Sequence, residues 1–238
     1  MKTAYLFDID GTLTPPTKFM EEDFIYFFLE WSENKDFFLV GGGSYNFLIS
    51  QLPCSVMKRA QGVFSSMGNE LRVNDSLIYS HEWKPSVALL SSLLAWHSKS
   101  PYPAKKKKYL ESRVGMLTFS IAGRESSHRE REDYFNWDTL HRERESVACD
   151  LSEKFPKLDI RLGGMISLDI QPKGRNKSQA LRWVRELNKY NNLFYFGDKG
   201  FKGGNDYDAK LNIKKHKDGK FYDVKDCTHT KKILESLP

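Results

Sequence analysis

The sequence contains few cysteines, and they are not spaced to bind a metal or to cross-link the chain. Its 238 residues include only Cys54, Cys149 and Cys227, with no CxxC motif among them. An odd number of widely separated cysteines supports neither a zinc site nor a disulfide framework. We therefore expect buried or inert thiols.

Long hydrophobic segments are also missing. No apolar run approaches the roughly 20 residues that a membrane span requires. The first residues lead directly into a strand-like segment, without the charged, apolar and cleavage regions of a signal peptide. We also find no internal repeat, no RNP motif and no zinc finger, so no nucleic-acid signature is present. These absences predict a soluble cytoplasmic protein without a membrane partner, and they disfavour nucleic acid as its partner.

The composition is sufficient for a folded core. Sixteen Phe, eleven Tyr and five Trp can fill an interior, which argues against global disorder. Lys and Arg exceed Asp and Glu by 37 to 31, a formal charge of +6. This excess fits an ordinary basic surface, and it equally fits an anionic partner such as a phosphorylated small molecule. Charge alone does not choose between them.

Strand-like and helix-like segments alternate at both ends of the chain. The first part predicts a strand at 4–7, a helix at 21–31, a strand at 37–40, a helix ending near 52 and a strand at 63–64. The last part predicts a helix at 178–187 and a strand at 193–196. Such alternation is typical of a parallel α/β sheet.

The middle of the chain has a different pattern. It predicts a helix at 86–96, a half-exposed alternating strand at 116–121, a charged helix from 128 to about 155, and strands at 160–162 and 166–170. Mixed helices and alternating strands indicate an α+β module. We therefore predict a Rossmann-like α/β core formed by residues 1–81 and 175–238, with a module at 82–174 inserted after the third strand.

Two carboxylates follow the first predicted strand. Asp8 and Asp10 are two residues apart and are followed by Gly11 and Thr12. Paired carboxylates at a strand end can bind Mg²⁺, attack phosphorus, and donate or accept a proton. An isolated DxD would suit a helix cap or a turn equally well. The preceding apolar strand favours the chemical interpretation.

The segment from Phe7 to Thr14, FDIDGTLT, resembles motif one of the haloacid dehalogenase superfamily of phosphotransferases. The resemblance implies that Asp8 is the nucleophile and Asp10 the general acid and base. Three further motifs are then expected in order. Ser44, after a glycine run, is the candidate hydroxyl that holds the phosphoryl group, although a simple glycine turn explains it equally well. Lys177, at the start of a helix, is the candidate neutralising cation.

The fourth motif follows the strand at 193–196. The segment GDK at 197–199 and the segment GGND at 203–206 resemble the version found in eukaryotic phosphomannomutases. The resemblance implies a Mg²⁺ site formed by Asp8, Asp198 and the backbone carbonyl of Asp10. Asn205 and Asp206 would support the metal ligands.

The inserted module carries the same resemblance, which extends over essentially the whole chain. The spacing of Arg113, Arg124 and Arg131 is similar to that of the cap domain of the family, and the segment at 163–169 is similar to its sugar-contacting strand. The resemblance implies a C2-type cap in which the three arginines bind the phosphate that is not transferred. Ser167 and Asp169 would then bind sugar hydroxyls. Guanidinium groups bind phosphate through paired hydrogen bonds, which fits this role.

The sequence departs from the family pattern at three places near the expected site. Thr17 stands where the family has an arginine, and Gly43 stands where it has the motif-two hydroxyl, with Ser44 one residue later. The segment SSMG at 65–68, which includes Met67, replaces a Pro-Glu-Asn-Gly turn. A divergent mutase, a changed sugar, or transfer of the phosphoryl group to water would each account for them.

The resemblance predicts a Mg²⁺-dependent phosphomannomutase that interconverts mannose 6-phosphate and mannose 1-phosphate, activated by a hexose 1,6-bisphosphate and supplying GDP-mannose synthesis. It also implies a homodimer formed through the cap. The first alternative is a phosphatase that hydrolyses a sugar phosphate or another small phosphorylated metabolite with the same residues. The second is a non-enzymatic binding protein, which the presence of both Asp8 and Asp10 disfavours.

Overall fold

The computed structural model describes residues 2–16 and 18–237. Within them the chain forms two compact units: one comprises the chain up to His81 together with the chain from Arg175 onward, and the other comprises Glu82–Gly174. Thr17, one of the three departures, lies outside the described residues. We call the first unit the core and the second the cap.

The strands of the described residues are β1 (Thr3–Asp8), β2 (Asp36–Val40), β3 (Gly62–Ser65), β4 (Glu70–Val73), β5 (Ser76–Ser80), β6 (Leu110–Arg113), β7 (Met116–Phe119), β8 (Leu158–Gly163), β9 (Ser167–Pro172), β10 (Asn192–Gly197) and β11 (Gly219–Asp223). The helices are α1 (Glu22–Trp31), α2 (Tyr45–Ile49), α3 (Cys54–Arg59), α4 (Val87–Lys99), α5 (His128–His141), α6 (Glu143–Lys154), α7 (Ser178–Glu186), α8 (Tyr207–His216) and α9 (Cys227–Glu235).

The core sheet has seven strands in the described part of the chain, in the order β11-β10-β1-β2-β3-β4-β5. The first five of these strands are parallel, and β4 and β5 add an antiparallel hairpin at one edge. A parallel sheet of this kind is covered by helices on both faces. The fold is the predicted Rossmann-like α/β class, and ligands in such sheets bind at the carboxyl ends of the strands.

Strand β1 shows why the core has two hydrophobic layers. Its side chains alternate across the sheet, so Tyr5 and Phe7 pack in one apolar cluster while Ala4 and Leu6 pack in the other. All four side chains are buried. The continuous apolar run in the sequence is therefore the expected pattern for a central strand that is covered on both faces.

The cap contains an antiparallel sheet in the order β6-β7-β9-β8, together with α4, α5 and α6. Helix α5 begins with a capping box, in which Ser127 Oγ accepts from the Glu130 amide and the Glu130 carboxylate accepts from the Ser127 amide. The cap has its own buried apolar cluster, which includes Phe119, Tyr134 and Leu168. It is an α+β unit, as predicted.

Three details of the sequence prediction are wrong. The segment at 116–121 is buried along its whole length and not half-exposed, because β7 lies between two strands of the cap sheet. The helix predicted from 128 onward is interrupted at Arg142, whose φ is +52°, and continues as a second helix. The insertion follows β5 and not the third strand, because the hairpin formed by β4 and β5 extends the core sheet first.

Cys227 is buried, whereas Cys54 and Cys149 are exposed, and all three thiols are free. Among the helices that the structure describes, none is both long enough and apolar enough to cross a membrane.

Candidate active site

The nucleophile predicted by sequence lies at the carboxyl end of β1. Asp8 is 2% exposed, and its Oδ1 lies 2.5 Å from the Nζ of Lys177. Its other oxygen, Oδ2, is buried and has no hydrogen-bond partner within the described residues. One oxygen of Asp8 is therefore held by a cation, while the other is unpartnered at the end of a central strand.

The chain turns sharply after Asp8. Gly11 has a φ of +80°, and its amide donates to the carbonyl of Thr14, while the Ile9 carbonyl accepts from the amides of Leu13 and Thr14. A Cβ at position 11 would lie 2.5 Å from Oδ2 of Asp198. Glycine is required here by the positive φ and by this close approach. The turn thereby brings the motif-one loop against the motif-four carboxylate.

Lys177 is the cation of the site. It lies immediately before α7, is fully buried, and bridges Oδ1 of Asp8 at 2.5 Å and Oδ1 of Asp206 at 2.9 Å. Burial alone would lower the pKa of this ammonium, but the carboxylates of Asp206 and Asp8 outweigh it and raise the pKa above its ordinary value. Lys177 is therefore a permanent positive charge next to the nucleophile.

Asp206 is the most completely bonded carboxylate of the group. Its Oδ1 accepts from Lys177 and from the Tyr195 hydroxyl at 2.9 Å, and its Oδ2 accepts from the Lys199 amide at 3.2 Å. A Cβ on Gly197 would lie only 2.6 Å from the Asp206 carboxyl carbon. Asp206 is thus committed to holding Lys177 in place. The Tyr195 contact could not be predicted from the sequence, since tyrosine in an apolar strand is usually a packing residue.

The carboxylate oxygens that have no partner among the described residues suit a divalent cation. One carboxylate oxygen from each of Asp8, Asp198 and Asp206 lies within 4.8 Å of the others, and Oδ2 of Asp8 and Oδ1 of Asp198 are buried without partners among the described residues. Two lysines lie beside these three carboxylates: the buried Lys177, and the more exposed Lys199, whose Nζ is 3.4 Å from Asp198. The group therefore carries an excess of negative charge. Hard oxygen donors with excess negative charge are what Mg²⁺ requires.

The electrostatics of Asp8 support the same conclusion. Burial raises the pKa of Asp8 well above its ordinary value, and the neighbouring carboxylate of Asp206 raises it further, while Lys177 opposes both effects. Without a further cation the site therefore disfavours the ionised nucleophile. A bound divalent cation would reverse this balance.

Asp10 and Ser44 have different surroundings. The carboxylate of Asp10 accepts a hydrogen bond from the side chain of Gln51 at 2.7 Å, a contact that no sequence motif indicated.

Ser44 is exposed, and its Oγ caps α2 by accepting from the Phe47 amide at 3.4 Å. A Cβ at position 43 would lie 2.5 Å from the Phe47 ring, so glycine there follows from local packing. The catalytic role of Ser44 stays a prediction.

The SSMG segment packs against the glycine run after β2. Ser66 and Met67 both have positive φ values, of 48° and 63°. The Ser66 amide donates to the Gly43 carbonyl at 2.7 Å, and the side chain of Gln179 donates to the Met67 carbonyl at 3.1 Å. Two successive non-glycine residues in this region are strained, and the surrounding hydrogen bonds hold them. Gln179, two residues after Lys177, was not found by sequence reasoning.

In the cap, the structure brings the three predicted arginines close together, and two of them contact one carboxylate, that of Glu111. Glu111 accepts from Nε of Arg113 at 3.0 Å and from Nε of Arg124 at 2.6 Å. Arg131 donates to the carbonyls of Arg124 and Ser126. Burial, and then the positive charge of Arg124, lowers the pKa of Arg131. Three guanidinium groups against one carboxylate leave a positive cluster that suits a phosphate dianion.

The two predicted sugar-binding residues lie on or beside β9 of the cap. Asp169 accepts from the Thr118 hydroxyl at 2.8 Å, and the Ser167 hydroxyl donates to the Gly163 carbonyl at 2.6 Å. A Cβ on Gly163 would lie 2.7 Å from the Asp169 carboxylate, so this glycine permits a close approach. Both side chains are fixed by neighbours, and their binding roles stay predictions.

A parallel α/β sheet with an inserted α+β unit, an aspartate pair after the first strand, a buried lysine and an acidic loop together define a protein of the haloacid dehalogenase superfamily. The model of the eukaryotic phosphomannomutase family matches residues 27–237. The chain belongs to this family.

Curated relatives agree. A phosphomannomutase of Oryza sativa subsp. indica is 33% identical over 211 residues, which cover 85% of this chain and 84% of the relative. Phosphomannomutase 1 of Dictyostelium discoideum is 30% identical over 243 residues, 99% of this chain and 96% of the relative.

Among solved structures, a trehalose-6-phosphate phosphatase related protein matches with a TM-score of 0.57 and 17% identity, over 98% of this chain and 96% of that one. IMP-bound IMP-nucleotidase of Plasmodium falciparum matches with a TM-score of 0.62 and 14% identity, over 99% of this chain and 68% of that one. These likenesses support the fold alone.

Proposed function

We propose that this protein is a Mg²⁺-dependent phosphomannomutase that interconverts mannose 6-phosphate and mannose 1-phosphate through a phosphorylated Asp8. The observation that carries the proposal is the state of Asp8, a buried carboxylate with one oxygen on Lys177 and the other without a partner in the described structure. A carboxylate of this kind can act as a nucleophile.

In the first step, an oxygen of Asp8 attacks the phosphorus of a hexose bisphosphate. The bond between phosphorus and the sugar oxygen breaks, and the electron pair stays on that oxygen. Asp10 donates its proton to the leaving oxygen, which releases the sugar as a monophosphate. Lys177 offsets the negative charge of Asp8 and of the incoming phosphoryl group throughout.

In the second step, a hexose monophosphate binds with its free hydroxyl toward the phosphorylated Asp8. Asp10 takes the proton from this hydroxyl, the oxygen attacks the phosphorus, the bond to Asp8 breaks, and a bisphosphate forms. The bisphosphate then binds in the opposite orientation and gives its other phosphoryl group to Asp8, which releases the isomeric monophosphate. The residues proposed to hold the metal are Asp8, Asp198 and the backbone carbonyl of Asp10. Magnesium, when bound there, supplies positive charge that offsets the carboxylates and the phosphoryl group.

The proposed substrate contacts lie in the cap. Arg113, Arg124 and Arg131 bind the phosphate that is not transferred, while Ser167 and Asp169 bind sugar hydroxyls. The arginine cluster supports this assignment because it carries more positive charge than Glu111 neutralises. A hexose 1,6-bisphosphate would serve as activator, because the cycle must begin with a phosphorylated Asp8.

A phosphatase is the second candidate. It would use the same Asp8, Asp10, Lys177 and Asp198, with water as the phosphoryl acceptor. The observation that favours it is Gly43, which stands where the family has the hydroxyl that holds the phosphoryl group, while Ser44, one residue later, lies at the start of α2 and caps this helix.

Phosphorus NMR separates the two candidates. The protein is mixed with Mg²⁺, mannose 1-phosphate and a trace of glucose 1,6-bisphosphate, with Asp8→Asn as the matched control. Growth of a hexose 6-phosphate signal that is absent with Asp8→Asn is the expected result. Growth of inorganic phosphate instead would establish the phosphatase. No change in either signal would reject both candidates for this sugar.

A further inference from the structure

The carboxylate of Asp10 is held by a residue from another element. Gln51, two residues after the end of α2, donates from Nε2 to Oδ1 of Asp10 at 2.7 Å. The same Nε2 lies 3.5 Å from the Lys18 carbonyl, and the Gln51 carbonyl accepts from the Met20 amide at 2.9 Å. Gln51 therefore contacts both the Asp10 side chain and the loop that follows it.

The orientation of the Gln51 amide is set by its neighbours. A carboxylate and a carbonyl both accept hydrogen bonds, so the NH₂ group must face them and Oε1 must face away. Oε1 is buried and has no partner in the described part of the chain, and the residue is 2% exposed. Leaving such an oxygen unpaired in the interior is destabilising. The fold therefore retains a buried amide here at a cost in stability, and its NH₂ group is directed at Asp10.

We propose that Gln51 is a positioning residue for the general acid and base, Asp10. The inference rests on the proposed function, in which Asp10 protonates the leaving sugar oxygen. The hydrogen bond from Gln51 Nε2 to Oδ1 holds the Asp10 carboxyl group in one orientation, and a general acid must be correctly oriented to act on the leaving oxygen.

This role makes a specific kinetic prediction. A misplaced acid matters most when the leaving group is a poor one, such as a sugar alkoxide, and least when the leaving group is stable without a proton. Removing the Gln51 amide should therefore slow transfer from a sugar phosphate much more than transfer from p-nitrophenyl phosphate. General damage to the site would slow both reactions equally.

The experiment compares wild type with Gln51→Leu, which keeps the side-chain bulk, and Gln51→Glu, which keeps the shape but places a carboxylate beside Asp10. Gln61→Leu is the matched control, because Gln61 is exposed and lies in the same unit. Steady-state kcat and KM are measured for mannose 1-phosphate with glucose 1,6-bisphosphate, and for p-nitrophenyl phosphate. Far-UV circular dichroism and the urea midpoint verify folding, and Gln51→Glu decides the outcome if Gln51→Leu does not fold.

We expect kcat for the sugar phosphate to fall about 10- to 100-fold, with KM within about twofold of wild type. This loss is smaller than the roughly 10²- to 10⁴-fold that a general acid contributes, because Asp10 is still present in the variants. For p-nitrophenyl phosphate we expect kcat/KM, which reports the transfer to Asp8 before Asp10 acts on an acceptor, to fall by less than about threefold. Equal losses on the two substrates, an increase in KM without a fall in kcat, or no loss at all would each overturn the inference. If wild type does not turn over the aryl phosphate, the kcat and KM values for the sugar phosphate decide. Absence of wild-type activity on both substrates would instead reject the proposed function.

Discussion

Replacing Lys177 with methionine should destabilise the core and abolish phosphoryl transfer. Methionine is similar in length to lysine but carries no charge. The Lys177 ammonium is fully buried, and it lies 2.5 Å from Asp8 Oδ1 and 2.9 Å from Asp206 Oδ1. The substitution therefore leaves two buried carboxylates without the cation that pairs them.

The expected loss follows from the burial of this group. Removing one partner of a buried ion pair costs roughly 3–5 kcal/mol, because the remaining charge stays desolvated and unpaired. After the substitution, Asp206 keeps the Tyr195 hydroxyl and the Lys199 amide, so part of its charge remains compensated. We therefore expect a loss of about 3–5 kcal/mol in the free energy of unfolding, measured without Mg²⁺ at pH 7.

The loss should also depend on pH. Burial and Asp206 already raise the pKa of Asp8 in the folded protein above the ordinary value of 3.8, and loss of Lys177 raises it further. A carboxyl group with a raised folded-state pKa contributes stability below pH 3.8, and this contribution is lost as the pH rises through the folded-state pKa. The deficit of Lys177→Met should therefore be largest at neutral pH and should shrink as the medium is acidified.

Urea unfolding followed by far-UV circular dichroism in EDTA at several pH values provides the measurement. Lys214→Met, on the exposed side of α8, is the matched control. A double variant, Lys177→Met with Asp206→Asn, should recover part of the stability because it removes one of the unpaired charges. An unchanged midpoint for Lys177→Met, or a double variant less stable than the single one, would refute the reasoning.

Two further predictions concern other parts of the molecule. Glu111→Gln should lower the stability of the cap by about 1 kcal/mol or less at pH 7, because the exposed part of this carboxylate is screened. Burial raises the pKa of Glu111, but Arg113 and Arg124 outweigh this effect and lower the pKa below 4.5. The stability difference between wild type and Glu111→Gln should therefore vanish as the pH falls through the folded-state pKa. Calorimetry across pH 3–7 tests this, and an unchanged difference at low pH would contradict it. Gly204→Ala would place a Cβ 2.1 Å from the Lys199 carbonyl and must displace the acidic loop. We expect Mg²⁺ to raise the Tm of wild type and to leave the Tm of Gly204→Ala unchanged; an equal increase in the variant would show that the loop tolerates the change.

Much of the core could be predicted from local sequence. The apolar run that ends at Asp8 predicts a buried strand, and its residues do alternate between the two apolar layers of the core. The motif order predicts that Asp8, Lys177 and Asp198 belong to one site. Parallel strands end at the same edge of a sheet, and the structure brings Lys177 and Asp8 into contact there.

The cap was harder to predict because polar side chains can be buried when they find partners. The alternation of Thr118 and Ser120 with apolar residues suggested a half-exposed strand. In the structure both are buried, since Thr118 donates to Asp169 and Ser120 accepts from the Gly123 amide. A pattern of polarity does not reveal a partner 51 residues away.

The break between α5 and α6 has a similar origin. Arg142 adopts a positive φ, and the next turn is fixed by Asp138, whose two oxygens accept from the amide and from Nε of Arg144. Charged residues on both sides are all compatible with one long helix. The composition therefore predicted helix correctly but contained no sign of its interruption.

The sequence by itself determined the fold class, the family and the order of the chemical groups along the chain, because strand periodicity and strand-end carboxylates are local properties. Only the tertiary structure decided which oxygen of Asp8 is held, that Asp206 anchors Lys177, and that Gln51 holds Asp10. Each of these contacts joins segments distant in sequence. Their geometry depends on how strands and helices pack, and that packing is a property of the whole core.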